Sequence, residues 1–196
     1  MCLVVIYPWD FILDALLTST FSVAIAEIGD KTQLLTLLLA IRFSNKSAII
    51  SAILLATLIN HFIAAYMGQW AIGWLDPQWS RYIVAVSFFA IALWVLIPDK
   101  IDDDDHRFYK LGAFGATFIL FFIAEIGDKT QIATVVLAAK YQSLTWVVIG
   151  TTLGMLIANV PVILAGHFSA NKLPMAFIHR GCALIFALLG VATLMW

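Results

Sequence analysis

The sequence predicts an all-α membrane protein of six transmembrane helices, arranged as two inverted-topology three-helix repeats. Three observations carry this reading. The chain is too apolar for a soluble core, it contains six long runs with few charges, and one charged motif occurs twice in the middle of such a run.

Composition bounds the class first. Of 196 residues, 63% are hydrophobic and 12% are charged, whereas soluble domains hold roughly 45–50% apolar and about 25% charged residues. A soluble fold of this size has no interior large enough for that apolar surface; a lipid bilayer is the partner that accepts it. The net charge is −1 with no basic stripe, which argues against nucleic acid as a partner. Cys2 and Cys182 have no metal-ligand spacing. The first ten residues lack a basic region and a small-residue cleavage site, so no removable signal peptide is expected.

The runs set the spans. A membrane helix needs about 20 mostly apolar residues. Ser47–Leu75 and Tyr141–Asn171 contain no Asp, Glu, Lys or Arg, and Tyr82–Pro98 is a shorter clean run. The run from Pro174 to Trp196 is interrupted only by His179 and Arg180, and Phe11–Ile41 and Leu111–Ala139 carry charges at their centres. The spans are therefore placed at residues 11–41, 47–69, 80–98, 111–140, 144–167 and 174–195. Pro77 reads as a loop residue, Pro98 as a stop, Pro174 as a first-turn residue and Pro161 as a kink within the fifth span. Trp9, Trp70, Trp74, Trp79, Trp146 and Trp196 fall near span ends, where aromatic belts form.

Charge asymmetry sets the orientation. Arg42, Lys46, Lys100, Arg107, Lys110, Lys172 and Arg180 lie on one side, and only Arg81 and Lys140 on the other. The first group is placed in the cytoplasm, so both termini are extracytoplasmic. The linker at residues 99–110, with its Asp102–Asp105 run and His106, reads as a solvated cytoplasmic connection between repeats 1–98 and 111–196.

The repeat follows from a fixed offset. Glu27, Asp30, Lys31 and Gln33 recur 98 residues later as Glu125, Asp128, Lys129 and Gln131, and the offset extends to Thr36/Thr134, Ala40/Ala138 and Gly68/Gly166. Each repeat holds three spans, an odd number, so the second copy enters the membrane from the opposite side. Secondary transporters commonly use this plan, with the site at the midplane between the copies.

The motif Glu-Ile-Gly-Asp-Lys-Thr-Gln places Glu27, Asp30, Lys31, Glu125, Asp128 and Lys129 near the bilayer centre. One central Asp, Lys or Arg costs about 2.5–3.5 kcal/mol on insertion scales, so these groups must face each other or a wet cavity. On a continuous helix Glu27 and Asp30 share a face, Gln33 lies on its edge, Lys31 flanks Glu27 at i+4, and Thr32 points away. The second motif repeats this. Two Glu, two Asp and two Gln carbonyls then make an all-oxygen set suited to hard divalent cations. Four carboxylates and two ammonium groups sum to −2, which one such ion neutralises, and protons can replace it on crowded carboxylates. The metal-binding candidates are Glu27, Asp30, Glu125, Asp128, Gln33 and Gln131. The four carboxylates are also the proton-coupling candidates, and Lys31 and Lys129 balance charge. Thr32, Thr130, Asn60 and Asn159 are candidates for lining the cavity, although residues such as Asn60, Asn159 and His61 within spans more often make interhelical hydrogen bonds. His167 reads as interfacial. Gly29 and Gly127 permit close helix approach or a local opening, and the length of the first span calls for tilt or a break near the glycine. A purely structural role for Glu27–Lys31 and Glu125–Lys129 pairs leaves Asp30 and Asp128 without cationic partners.

The doubled Glu-x-Gly-Asp-Lys-Thr motif, one per repeat and separated by an acidic linker, resembles the cation/proton exchangers first called uncharacterised protein family sixteen. That family includes eukaryotic Golgi calcium/manganese transporters and bacterial manganese exporters. The resemblance spans essentially the whole chain, and both motif copies are intact. It implies that Glu27, Asp30, Lys31 and Thr32, with Glu125, Asp128, Lys129 and Thr130, are the motif residues. The lack of a long N-terminal targeting extension gives the chain the look of a bacterial inner-membrane member, for which the resemblance implies Mn²⁺ efflux. The expectation is a secondary transporter, not an enzyme, that exports Mn²⁺, with Ca²⁺ as a second cargo, in exchange for protons. It needs no resident cofactor. Its partners are the metal ions, protons and the bilayer, and a homodimer is among the assemblies left open. The rival classes are a divalent-cation channel, a metal-sensing subunit and an intramembrane carboxylate enzyme. The last lacks the second glycine of the Gly-x-Gly-Asp protease signature.

Overall fold

The computed structural model describes residues 8–97, 106–165 and 175–195. They form eight α-helices: α1 Pro8–Glu27, α2 Lys31–Arg42, α3 Lys46–Ile72, α4 Pro77–Val95, α5 Gly112–Glu125, α6 Lys129–Tyr141, α7 Leu144–Ala165 and α8 Met175–Met195. A 3₁₀ segment, His106–Leu111, leads into α5. No strand occurs among the described residues. The Asp102–Asp105 run, Cys2, Gly166, His167, Pro98, Pro174 and Trp196 lie outside the described residues.

Six helices are long and apolar enough to cross a membrane, three in each half: Trp9–Glu27, Lys46–Ile72, Pro77–Val95, Phe108–Glu125, Leu144–Ala165 and Ala176–Met195. The chain is an all-α membrane protein. Trp9, Trp70, Trp74 and Trp79 are all more than half exposed, as belt residues at span ends are. Local chemistry sets the other boundaries. Asn45 caps α3 by accepting from the Ala48 N–H at 3.1 Å. Pro77 opens α4 rather than sitting in a loop before it, because a first-turn position needs no N–H donor. Pro161 lies within α7.

Two predicted spans are not continuous. The run at 11–41 is split into α1 and α2, and the run at 111–140 into α5 and α6, each just after the motif glutamate. The break, not tilt alone, accommodates the excess length.

Packing crosses between the halves. α1 and α2 lie along α7, and α5 and α6 lie along α3; α3 also meets α7, and α4 meets α8. Glycines permit the closest approaches. A Cβ at Gly150 would lie 2.6 Å from the Leu16 carbonyl oxygen, and one at Gly154 would lie 2.5 Å from that of Thr20. Further along, the Gln33 amide donates to the Ala158 carbonyl at 2.9 Å. Residue numbers rise together on both sides, so α1–α2 runs parallel to α7. Likewise Asn60 Nδ2 donates to the Phe122 carbonyl at 3.1 Å, and Gly68 abuts the Val135 carbonyl. So α3 runs parallel to α5–α6. In a chain that crosses six times, the first and fifth spans share a direction, as do the second and fourth.

The apolar interior has two parts. Phe88 and Phe186 stack at 6.3 Å within one, which joins α4, α6 and α8. Leu39, Ile53, Phe121, Met155 and Ile163 pack in the other, where α2, α3, α5 and α7 meet.

Candidate divalent-cation site

Each motif interrupts its helix in the same way. α1 ends on Glu27 and α5 on Glu125. Gly29 and Gly127 then adopt φ of 81° and 74°, a left-handed conformation that costs an L-residue with a side chain about 1–2 kcal/mol. Asp30 and Asp128 follow in extended conformation as the N-caps of α2 and α6. Asp30 Oδ1 accepts from the Lys31 N–H at 2.8 Å, and Asp128 Oδ2 from the Thr130 N–H at 3.3 Å. Glycine after a helix and aspartate before one are the residues these two positions favour. The glutamines brace the gap: Gln33 Oε1 accepts from the Gly29 N–H at 2.8 Å, and Gln131 Oε1 from the Gly127 N–H at 2.6 Å.

The threonines hold the glutamates. The Thr32 hydroxyl donates to the Glu27 carboxylate. The Thr130 hydroxyl lies 3.2 Å from both Glu125 Oε2 and Asp128 Oδ2. Thr32 does not point away, as a continuous helix would require, because the break rotates α2 relative to α1. The same break removes Lys31 from i+4 register with Glu27. Lys31 Nζ instead pairs with Asp128 Oδ1 of the other motif at 3.2 Å, while Lys129 Nζ donates to the Ile97 carbonyl at 2.8 Å.

The two breaks meet. Carboxylate oxygens of Glu27, Glu125 and Asp128 lie within 4.8 Å of one another. All three residues are buried, the glutamates fully. Asp30, 4% exposed, is not part of that triad, though its charge acts on Glu27. Among the described residues, Glu27 Oε2, Glu125 Oε1 and Asn159 Oδ1 are buried without a hydrogen-bond partner. Buried acceptors without donors are costly, and a cation between them removes that cost. Asn159 lies beside Glu27, and its amide donates to the Met155 carbonyl at 3.0 Å. Asn60 is engaged between helices, donating to Phe122 and accepting from Gln131 Nε2 at 3.4 Å. The Gln33 and Gln131 oxygens each keep one of two acceptor positions beyond the glycine contact.

Four half-helix ends therefore converge. The C-terminal ends of α1 and α5 carry partial negative charge toward the site, and the N-terminal ends of α2 and α6 are held by the aspartates. Broken helices with this arrangement serve ions in transporters. The geometry suits one hard divalent cation bound by carboxylates, exchangeable for protons.

The model of the divalent cation/proton antiporter family GDT1 matches residues 15–103 and 113–196, stretches whose starts are 98 residues apart. A protein of Vibrio cholerae named "Putative manganese exporter" is 50% identical over 95% of this chain and 93% of its own length. GDT1-like protein 5 of Arabidopsis thaliana is 23% identical over 87% of this chain and 91% of its own. GDT1-like protein 3 of Oryza sativa subsp. indica is 24% identical over 83% and 67%. No solved structure matches.

Proposed function

From the premise that the chain belongs to the GDT1 family of divalent cation/proton antiporters, we propose that it exports Mn²⁺ from the cytoplasm in exchange for protons and accepts Ca²⁺ at the same site. The family is one of transporters, not enzymes. The observation that carries the proposal is the convergence of Glu27, Glu125 and Asp128 oxygens within 4.8 Å at two helix breaks.

In this reading Mn²⁺ sits between the two glutamates and Asp128, with Asp30 joining as the breaks adjust. Gln33 and Gln131 add carbonyl oxygens. Lys31 gives up Asp128 to the incoming metal and reclaims it when the metal leaves. Protons take the glutamates on the return. The repeats, 1–98 and 111–196 with the 99–110 linker between, rock against each other so that the site faces one side at a time. Support for opposite orientation comes from the parallel runs of α1 with α7 and of α5 with α3. The excess of Lys and Arg beside α2, α5 and α8 supports both termini outside, and the six apolar helices with the Vibrio cholerae relative support a multi-pass protein of a bacterial inner membrane.

Reconstitution tests this. Liposomes bearing the wild type should take up Mn²⁺ when a pH gradient is imposed, and Glu27→Gln and Asp128→Asn should abolish that uptake. Unchanged Mn²⁺ and Ca²⁺ flux in both variants would sink the site. Flux that ignores the pH gradient would replace the exchanger with a channel.

A further inference from the structure

The 98-residue offset that relates the motifs also relates the helices packed against them, α3 and α7. Asn60 and His61 of α3 correspond to Ala158 and Asn159 of α7. The structure keeps this correspondence. Gln33 Nε2 donates to the Ala158 carbonyl at 2.9 Å, and its counterpart Gln131 Nε2 donates to Asn60 Oδ1 at 3.4 Å. So α3 is seated against the break after Glu125 as α7 is seated against the break after Glu27. The Asn60 contact with the Phe122 carbonyl, one turn before Glu125, fixes the same level. Asn159 lies beside Glu27, and the shared register gives His61 the equivalent place on the Glu125 side.

His61 is fully buried, and among the described residues neither Nδ1 nor Nε2 has a hydrogen-bond partner. A neutral imidazole carries one N–H donor and one acceptor, and leaving both unpaired away from water is costly. Its counterpart shares the condition, since Asn159 Oδ1 is also buried without a partner. Each half therefore holds one unanswered acceptor next to its glutamate: an amide oxygen by Glu27 and an imidazole nitrogen on the Glu125 side. His61 stands outside the 4.8 Å group formed by Glu27, Glu125 and Asp128, as Asp30 does, so both close on an ion only as the breaks adjust.

We propose that His61 is a nitrogen ligand to the transported cation, approaching from the Glu125 side, and that it gives the site a preference for Mn²⁺ over Ca²⁺ and Mg²⁺. The inference rests on the cation-site reading above and narrows the chemical class of its cargo. Ca²⁺ and Mg²⁺ are served by oxygen ligands. Imidazole nitrogen serves first-row transition metals, and Mn²⁺ accepts it alongside carboxylates. A set made only of carboxylates and amide oxygens cannot separate Mn²⁺ from Ca²⁺ by ligand type. One nitrogen among the oxygens can. It does so without altering the net charge of the site, because imidazole binds metal in its neutral form. His61 is thus a specificity-determining residue, and Asn159 supplies the matching oxygen in the other half.

Electron spin-echo spectroscopy of Mn²⁺ bound to the whole chain in detergent tests the ligand, because nitrogen bonded to Mn²⁺ modulates the echo. The wild type should show a nitrogen modulation that changes when its histidines are labelled with ¹⁵N. The modulation should persist when His106, His167 and His179 are all replaced by asparagine, a result that does not depend on how a His61 variant folds. It should vanish in His61→Asn, which gives both halves the side chain found at Asn159. Titration calorimetry tests the preference. His61→Asn should weaken Mn²⁺ binding at least as much as loss of a group that only orients a ligand, about 10–100-fold, and should leave Ca²⁺ affinity near the wild-type value. Mn²⁺ bound without a histidine modulation overturns the ligand. Equal losses for Mn²⁺ and Ca²⁺, the mark of a merely structural role, overturn the preference. If the wild type binds neither metal, the cation-site reading itself fails, which Mn²⁺ bound without nitrogen would not imply.

Discussion

Lys31 of the first motif forms its ion pair with Asp128 of the second, Nζ to Oδ1 at 3.2 Å. A cation from one repeat therefore stands beside the carboxylates of the other, in the position an incoming metal would contest. Removing one partner of a buried pair leaves the other uncompensated, at about 3–5 kcal/mol when burial is complete. Lys31 is 26% exposed, so the cost falls below that range. Lys31→Gln should lower the melting temperature of the metal-free protein. Because a ligand that binds only the folded state stabilises it by mass action, saturating Mn²⁺ should raise the variant's melting temperature more than the wild type's. Thermal unfolding in detergent, with and without Mn²⁺, gives both numbers. An equal or smaller Mn²⁺ shift in the variant would show that the lysine does not stand in for the metal.

The threonine hydroxyls orient the glutamates, Thr130 at 3.2 Å from Glu125 Oε2. Groups that hold metal ligands in place typically contribute about 10–100-fold to metal affinity. Thr130→Val keeps the side-chain shape and deletes the donor, so Mn²⁺ binding should weaken by about tenfold or more. Thr130→Ser should restore most of it. Isothermal titration of the purified protein distinguishes these outcomes, and equal affinities for Val and Ser would remove the hydroxyl from the account.

How much of this was legible in the sequence depends on which physical rule each residue obeyed. The spans were legible because twenty apolar residues have few other homes. The 98-residue repeat was legible because Glu27, Asp30, Lys31 and Gln33 recur in register. The positions of Thr32 and Lys31 were not, because helical periodicity presupposes a continuous helix and the chain breaks between Glu27 and Lys31. The signal for the break was nonetheless present: Gly29-Asp30 and Gly127-Asp128 read as a helix stop followed by an N-cap, even at membrane depth. The pairing of Lys31 with Asp128 was beyond reach of periodicity, since it depends on how two distant segments meet. Asn60 and Asn159 carry the same residue type but different partners, one between helices and one beside Glu27. That difference comes from tertiary contacts that no spacing encodes.

Gly127 is needed for backbone shape, not for space. A Cβ at Gly127 would meet nothing within 4 Å, yet φ there is +74°. The cost of a substitution should thus follow tolerance of the left-handed region, about 1–2 kcal/mol for ordinary residues and least for Asn. Gly127→Asn should retain more Mn²⁺ uptake and a higher melting temperature than Gly127→Val. The reverse order would mean that packing at the break, not φ, selects glycine.

Packing glycines obey the opposite rule, and α7 supplies the contrast. A Cβ at Gly154 would lie 2.5 Å from the Thr20 carbonyl oxygen and 2.9 Å from the Ala24 nitrogen. Both are backbone atoms of α1, so the two helices must separate to admit a methyl group. Overpacking of this kind costs about 1–3 kcal/mol. Gly181 of α8 has nothing within 4 Å of its added Cβ. Alanine there should gain up to about 1 kcal/mol of helix preference. Gly154→Ala should therefore lower the melting temperature, and Gly181→Ala should hold or raise it. Because α1 carries Glu27 at its end, the Gly154 change should also weaken Mn²⁺ binding, which Gly181→Ala leaves intact. If Gly154→Ala matched the wild type in both measurements, α1 would not be seated against α7 as described, and the position of Glu27 would need to be fixed by other contacts.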